Sequence, residues 1–88
     1  MKVLKIGAVW CLECRIMKPR WHEIEAENPN LKTEFLDYDE NPDIIKKYNI
    51  TEMPSFIFLD SIGNEIERVG GDVPKQKLID IIKRNIDK

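Results

Sequence analysis

Trp10-Cys11-Leu12-Glu13-Cys14 is the stretch at which this 88-residue chain changes its hydrophobic period. Before it, Val3 to Ile6, continued by Ala8 and Val9, forms a short apolar run of the kind a buried parallel strand presents, with Lys5 as its one charged member. After it, Met17, Trp21 and Ile24 fall at helical spacing and lay one apolar stripe along a helix from about Glu13 to roughly Asn28, which Pro29 helps to end. Pro19 lies inside that helix, where it removes one backbone hydrogen bond. The same stretch holds both cysteines of the protein. A Cys11 at the first turn faces unpaired backbone N–H groups and the positive end of the helix dipole, which favour the thiolate, the form of sulfur that attacks disulfides. Cys14, three residues on, can then reach back and close a disulfide.

Moving outward, Leu31 to Leu36 reads as a second strand, with Leu31, Thr33 and Phe35 alternating against Lys32, Glu34 and Leu36. Asn41 is placed to cap a helix that has Pro42 at its first position and runs through Ile44, Ile45 and Tyr48 to about Asn49. Asp37, Asp39 and Asn41 do not make a calcium loop, because Pro42 stands where such a loop needs glycine and Tyr48 where it needs a bidentate glutamate. Ser55 to Leu59 is a third strand, Asp60 to Asn64 a turn, and Glu65 to Val69 a fourth strand paired antiparallel to the third. Gly70-Gly71 breaks this hairpin, and Pro74 opens a last helix with apolar positions Leu78, Ile79, Ile82 and Ile86.

The order β-α-β-α-β-β-α makes one α/β domain spanning residues 1–88. A right-handed crossover joins the first two strands in parallel, and a second helical connection returns the third strand beside the first. The expected four-stranded mixed sheet has order 2-1-3-4, with the first and last helices on one face and the middle helix on the other. Cys11 then lies just past the carboxyl end of strand 1, where α/β sheets place their active sites.

Composition narrows the function. With 42% hydrophobic and 34% charged residues and a net charge of -2, the chain is an ordinary globular protein without the basic footprint of a nucleic-acid binder. No window approaches a membrane span, the N-terminal run lacks the pattern of a secretory signal, and a cytoplasmic location is expected. Two cysteines as C-x-x-C beside a βαβ pattern read as redox chemistry. Zinc wants four ligands, and neither a second C-x-x-C nor a Cys/His pair is present; His22, the one histidine, lies more than two helical turns beyond Cys14. A dimer assembling two such pairs around a metal or iron–sulfur cluster is the remaining metal reading.

These residues resemble the thioredoxin family: Trp-Cys-x-x-Cys after a strand, Pro19 five residues beyond the second cysteine, Asp39-Glu40-Asn41-Pro42, Met53-Pro54 before a strand, and Gly70 after the hairpin. The resemblance covers nearly the whole chain but lacks the family's first strand and helix, leaving strand 2 at an edge. It implies a monomeric protein-disulfide oxidoreductase with no bound cofactor or metal, Cys11 as nucleophile and Cys14 as resolving thiol. Its partners would be disulfide-containing proteins and, as electron donor, a thioredoxin-reductase-like protein or another dithiol. It also implies a cis Met53–Pro54 bond packed against the cysteines, with Met53 offering backbone groups to an extended peptide. Trp10 would be an apolar wall beside Cys11, and Gly70 and Gly71 would permit close approach across the groove. Gly70-Gly71-Asp72 also resembles the glutathione-binding edge of glutaredoxins, so a glutathione-dependent enzyme stays open, as does a non-catalytic peptide- or metal-binding module.

Three departures from the family pattern bear on the chemistry. Leu12-Glu13 replaces Gly-Pro between the cysteines, Lys5 replaces a buried aspartate, and Phe35 replaces a lysine near it. Glu13 should raise the pKa of Cys14. An inward-pointing Lys5 would tune a thiol pKa downward; a Lys5 that snorkels or faces solvent would not.

Overall fold

The computed structural model describes all 88 residues. The chain runs β1 (Lys2–Gly7), α1 (Leu12–Glu27), β2 (Lys32–Asp37), α2 (Pro42–Lys47), β3 (Ser55–Leu59), β4 (Glu65–Gly70) and α3 (Lys75–Asn85). The sheet order is β2-β1-β3-β4. β1 pairs in parallel with β2, Lys5 opposite Phe35, and antiparallel with β3, Lys5 opposite Phe56; β3 and β4 form the antiparallel hairpin.

The alternation of side chains along β1 and β3 divides the core in two. Val3, Phe56 and Phe58 pack against Met17, Trp21 and Ile24 of α1 and Leu78, Ile81 and Ile82 of α3. On the opposite face Leu4, Ile6, Ile57 and Leu59 meet Ile50, with Ile44, Ile45 and Tyr48 of the α2 region half-buried against them. β3 is buried at every residue, as a continuous apolar run in a central strand requires. A bulge between Phe58 and Leu59 lets Ile66 and Val69, three apart on β4, both reach the α1/α3 core.

Several boundaries differ from the sequence reading. Val9 is 78% exposed in the turn after β1, so the strand stops at Gly7. β2 carries only half-buried and exposed residues, and Phe35 is 59% exposed, because nothing covers its outer edge. α2 stops at Lys47; Asn49 has φ +50, a left-handed turn that ends the helix. Asn41 holds the N-cap position without capping, since its side chain donates to Asp37 O at 2.9 Å. β4 includes Gly70, one residue past the expected break.

On α3 the buried stripe is Leu78, Ile81, Ile82 and Asn85, with Ile79 half-buried beside it and Ile86 52% exposed. At roughly 100° per residue, position 85 lies about 20° from Leu78 around the helix and position 86 about 80° away. The stripe therefore passes through Asn85, whose amide donates to Ile81 O at 2.9 Å and to the Glu67 carboxylate.

Candidate functional site

The chain leaves β1 at Gly7 and turns so that the Cys11 N–H donates to Ala8 O at 3.2 Å. Cys11, at φ -96 and ψ 116, is the N-cap of α1, and its Sγ accepts the Cys14 N–H at 3.2 Å. The sulfur holds the place that a serine or aspartate oxygen takes in an ordinary cap and faces the positive end of the helix dipole. Cys11 is buried and Cys14 half-buried, both as free thiols.

The two thiols are not equivalent. Burial pushes the Cys14 thiol up from 9.0 to about 11; its hydrogen bond with Cys11 and the charges of Cys11 and Glu13 push the same way, against a backbone hydrogen bond at Ala8. Glu13 thus acts in the expected direction, as the smallest of these influences. At neutral pH Cys14 keeps its proton.

Met53–Pro54 is a cis peptide bond. Pro54 is buried and lines, together with Cys14, a groove of about 430 Å³ between α1 and the sheet. Met53 is half-buried against the α2-side core. Pro54 O accepts the Gly71 N–H at 2.9 Å, and Gly70 pairs with Ser55. A Cβ on Gly70 would lie 2.9 Å from Pro54 O and would run into the Glu52 carboxylate, so this close crossing requires glycine. Gly71 has φ +79, and a Cβ there would stand 3.5 Å from Glu13 Oε2. The end of the hairpin, Pro54 and the Cys-x-x-Cys turn therefore meet at one end of the sheet.

Trp10 is 61% exposed and held away from free rotation: its Nε1 donates to Asp39 Oδ2 at 2.9 Å and its ring meets Tyr38 edge-on, centroids 6.0 Å apart. Asp39 was legible only as part of a family-like segment; its role as the anchor of Trp10 comes from the fold.

Lys5 needs a correction. It points inward, but its Nζ lies 2.5 Å from Glu25 Oε2 and 5.8 Å from the centre of the Trp21 ring. Glu25 also accepts from Thr33 Oγ1 at 2.9 Å. Burial raises the Glu25 carboxyl, and the hydrogen bonds from Lys5 and Thr33 outweigh it, leaving the pKa below the usual value. The charge of Lys5 is thus spent on Glu25, Lys5 is not among the groups acting on Cys14, and the expected tuning of a thiol by Lys5 gives way to a structural ion pair. Glu25 carried no signal in the sequence beyond its place on the helix. No three His, Cys, Asp or Glu side chains come together as a metal-binding set.

The family model for thioredoxin matches residues 1–84. Among relatives, thioredoxin H2 of Arabidopsis thaliana is 38% identical over 69 residues, 78% of this chain and 51% of its own. A Mycoplasma genitalium thioredoxin is 29% identical over 79 residues, 90% of this chain and 76% of its own. The chain spans about half the length of the plant relatives it matches, 51% and 52% for the Arabidopsis and the Oryza sativa proteins. Thioredoxin NaTrxh from Nicotiana alata superposes with a TM-score of 0.88 at 30% identity, over 96% of this chain and 71% of that one. Fasciola hepatica thioredoxin gives 0.87 at 32%, over 96% and 79%. With the sheet order, the Cys-x-x-Cys turn and the buried proline in their expected places, the chain has the thioredoxin fold and belongs to the thioredoxin family.

Proposed function

We propose that this protein is a thiol–disulfide oxidoreductase acting on protein disulfides. The observation that carries the reading is a buried sulfur at the N-cap of α1 with a second, protonated thiol one helical turn on. Cys11, as thiolate, attacks one sulfur of a substrate disulfide. That S–S bond breaks, the distal sulfur leaves and takes a proton, and a mixed disulfide joins substrate to Cys11. Cys14 then loses its proton and attacks Cys11 Sγ, the second substrate sulfur leaves as a thiol, and a Cys11–Cys14 disulfide remains. Two electrons have passed to the substrate; a thioredoxin-reductase-like protein or another dithiol returns them.

The substrate segment lies in extended form along Met53, with Trp10, Gly70 and Gly71 around it, and main-chain hydrogen bonding supplies affinity that tolerates varied sequences. The protein works as a monomer in the cytoplasm, a compartment that keeps such dithiols reduced between turnovers. Insulin reduction driven by dithiothreitol tests the activity: the wild type accelerates precipitation of the insulin B chain and Cys11→Ser does not. Cys14→Ser should retain partners on Cys11 as mixed disulfides. Absence of cysteine-dependent turnover would leave a peptide-binding module in place of an enzyme.

A further inference from the structure

The groove that contains Cys14 is larger than one thiol needs. We propose that it binds a small organic anion with an aromatic-sized apolar body, of the class of aryl-alkyl carboxylates. The proposal goes beyond the oxidoreductase reading and does not depend on it. About 430 Å³ falls within the range of small-molecule pockets. The floor is apolar, formed by Met17, Trp21, Phe56 and the exposed ring of Phe35.

The rim fixes the charge of the occupant. Arg15, Lys18 and His22, spaced three and four residues apart, stand on one face of α1 above the groove. Lys18 and His22 make no side-chain hydrogen bond or ion pair, and Arg15 makes only a bond of 3.4 Å to Val9 O. Lys5 is neutralised by Glu25. Asp37, the one acid lining the groove, keeps its negative charge while its Oδ2 accepts the N–H groups of Asp39 and Glu40 at 3.0 and 3.2 Å. Arg15 and Lys18 together outweigh Asp37 and leave the rim net positive, a complement to a carboxylate.

The floor supplies an independent sign. Trp21 is 2% exposed, lines the groove, and its Nε1–H is the one buried side-chain nitrogen or oxygen without a hydrogen-bond partner. Buried donors are nearly always paired, so this one points to an acceptor brought by an occupant. Phe35 and Cys14 Sγ close around the same wall, 3.0 and 3.3 Å from where a Gly7 Cβ would be. An occupant therefore borders the resolving thiol.

The test is titration of the full chain with 3-phenylpropanoate, followed by ¹H–¹⁵N correlation NMR, with Trp10→Phe used to identify the Trp21 indole signal. Expected are saturable binding and a downfield shift of the Trp21 Nε1–H. 3-Phenylpropan-1-ol, which lacks the charge, should bind about tenfold more weakly, and Lys18→Glu, on the exposed face of α1, should weaken the carboxylate by a similar factor. Acetate, which lacks the apolar body, should not saturate the shift. A Trp21 signal that stays in place, equal binding of the alcohol, equal binding of acetate, or an unchanged affinity in Lys18→Glu would each overturn the proposal.

Discussion

Replacing Gly70 with alanine puts a methyl group between the hairpin and the proline that faces the cysteines, and the geometry gives the size of the effect. The new Cβ would stand 2.9 Å from Pro54 O, where ordinary contact begins at 3.4 Å, so the two backbones must part by about half an ångström. The Glu52 carboxylate is also in the way, but it ends an exposed, flexible side chain and can swing aside. The Pro54 carbonyl cannot, since it accepts the Gly71 N–H and its chain enters β3 at Ser55, which is 2% exposed. Overpacking of this kind costs about 1–3 kcal/mol. A misplacement of about 1 Å at a reacting centre can cost about a hundredfold, so half that displacement beside Cys14 should lower the insulin-reduction rate about tenfold. Gly71→Ala is the matched comparison. Its φ of +79 makes alanine strained by about 1–2 kcal/mol, but its Cβ would meet only Glu13 Oε2, at an ordinary 3.5 Å. Urea denaturation should show both variants destabilised, while initial rates, corrected for the folded fraction, should fall further in Gly70→Ala than in Gly71→Ala. A Gly70→Ala protein with wild-type rate and stability would refute the claim that this crossing positions Pro54 against the thiols.

Three further perturbations test the electrostatics. In the reduced protein, the Cys14 ¹³Cβ shift should titrate with a midpoint of about 11, and Cys11→Ala should lower it by removing both the hydrogen bond and the charge of Cys11; a midpoint at or below 9.0 in the wild type would contradict the burial seen here. Because the folded pKa lies above the reference value of 9.0, the native state holds this proton more tightly, so the associated stability is fully present below about pH 9 and is lost as pH rises through about 11, measurable as a fall in urea midpoint that Cys14→Ala abolishes. Lys5→Met should strand Glu25 beneath α1 and cost about 1–3 kcal/mol, while Lys5→Met/Glu25→Leu should recover much of it; a double-variant loss equal to the sum of the losses in Lys5→Met and Glu25→Leu would show that the pair carries no coupling. For Glu25 the sign is opposite: its pKa is lowered, so its contribution is present above its unfolded pKa and is lost as pH falls through the folded one, a dependence that Lys5→Met should flatten. Trp10→Phe removes the bond to Asp39 at an exposed site and should cost no more than about 1 kcal/mol in urea denaturation, yet lower the affinity for peptide substrates by freeing the ring; unchanged insulin-reduction KM would count against Trp10 as an apolar wall for the substrate beside Cys11.

What the sequence showed of this molecule, and what it hid, divides along a physical line. The switch from a strand-like run to a 3.6-residue period at Cys11, the alternation in the hairpin and the turn residues between them are local properties of the chain, and they gave the element order and the sheet order. Pairings between distant elements leave no local trace. Lys5 and Glu25 are 20 residues apart, Trp10 and Asp39 29 apart, and each pair meets only because α1 packs across β1 and because the loop after β2 returns beside the Cys-x-x-Cys turn. The same limit explains Asn85: helical geometry put it on the buried stripe, but its polar side chain is tolerated there only because Glu67 of β4 and Ile81 O accept from it. Exposure of Phe35 follows from a neighbour that the strand lacks, which no residue within the strand can signal.

Lys5 and Phe35, both departures from the family pattern, lie side by side in the sheet. β1 and β2 place the two residues directly opposite each other in register, on the face that α1 covers. A lysine buried there without a partner would be costly, and an aromatic ring beside it offers no countercharge. Glu25, reaching across from α1 and steadied by Thr33, supplies one, and the ring of Trp21 under the ammonium adds a second favourable contact. The consequence reaches the thiols: the carboxylate in this corner is tied to Lys5, and the only acid acting on Cys14 is Glu13, which makes its proton harder to lose. Resolution of a mixed disulfide then requires Cys14 to give up its proton along the groove, past Phe35 and the unpaired Lys18 and His22, to solvent or to a group the substrate brings. An occupant of that groove would control the step.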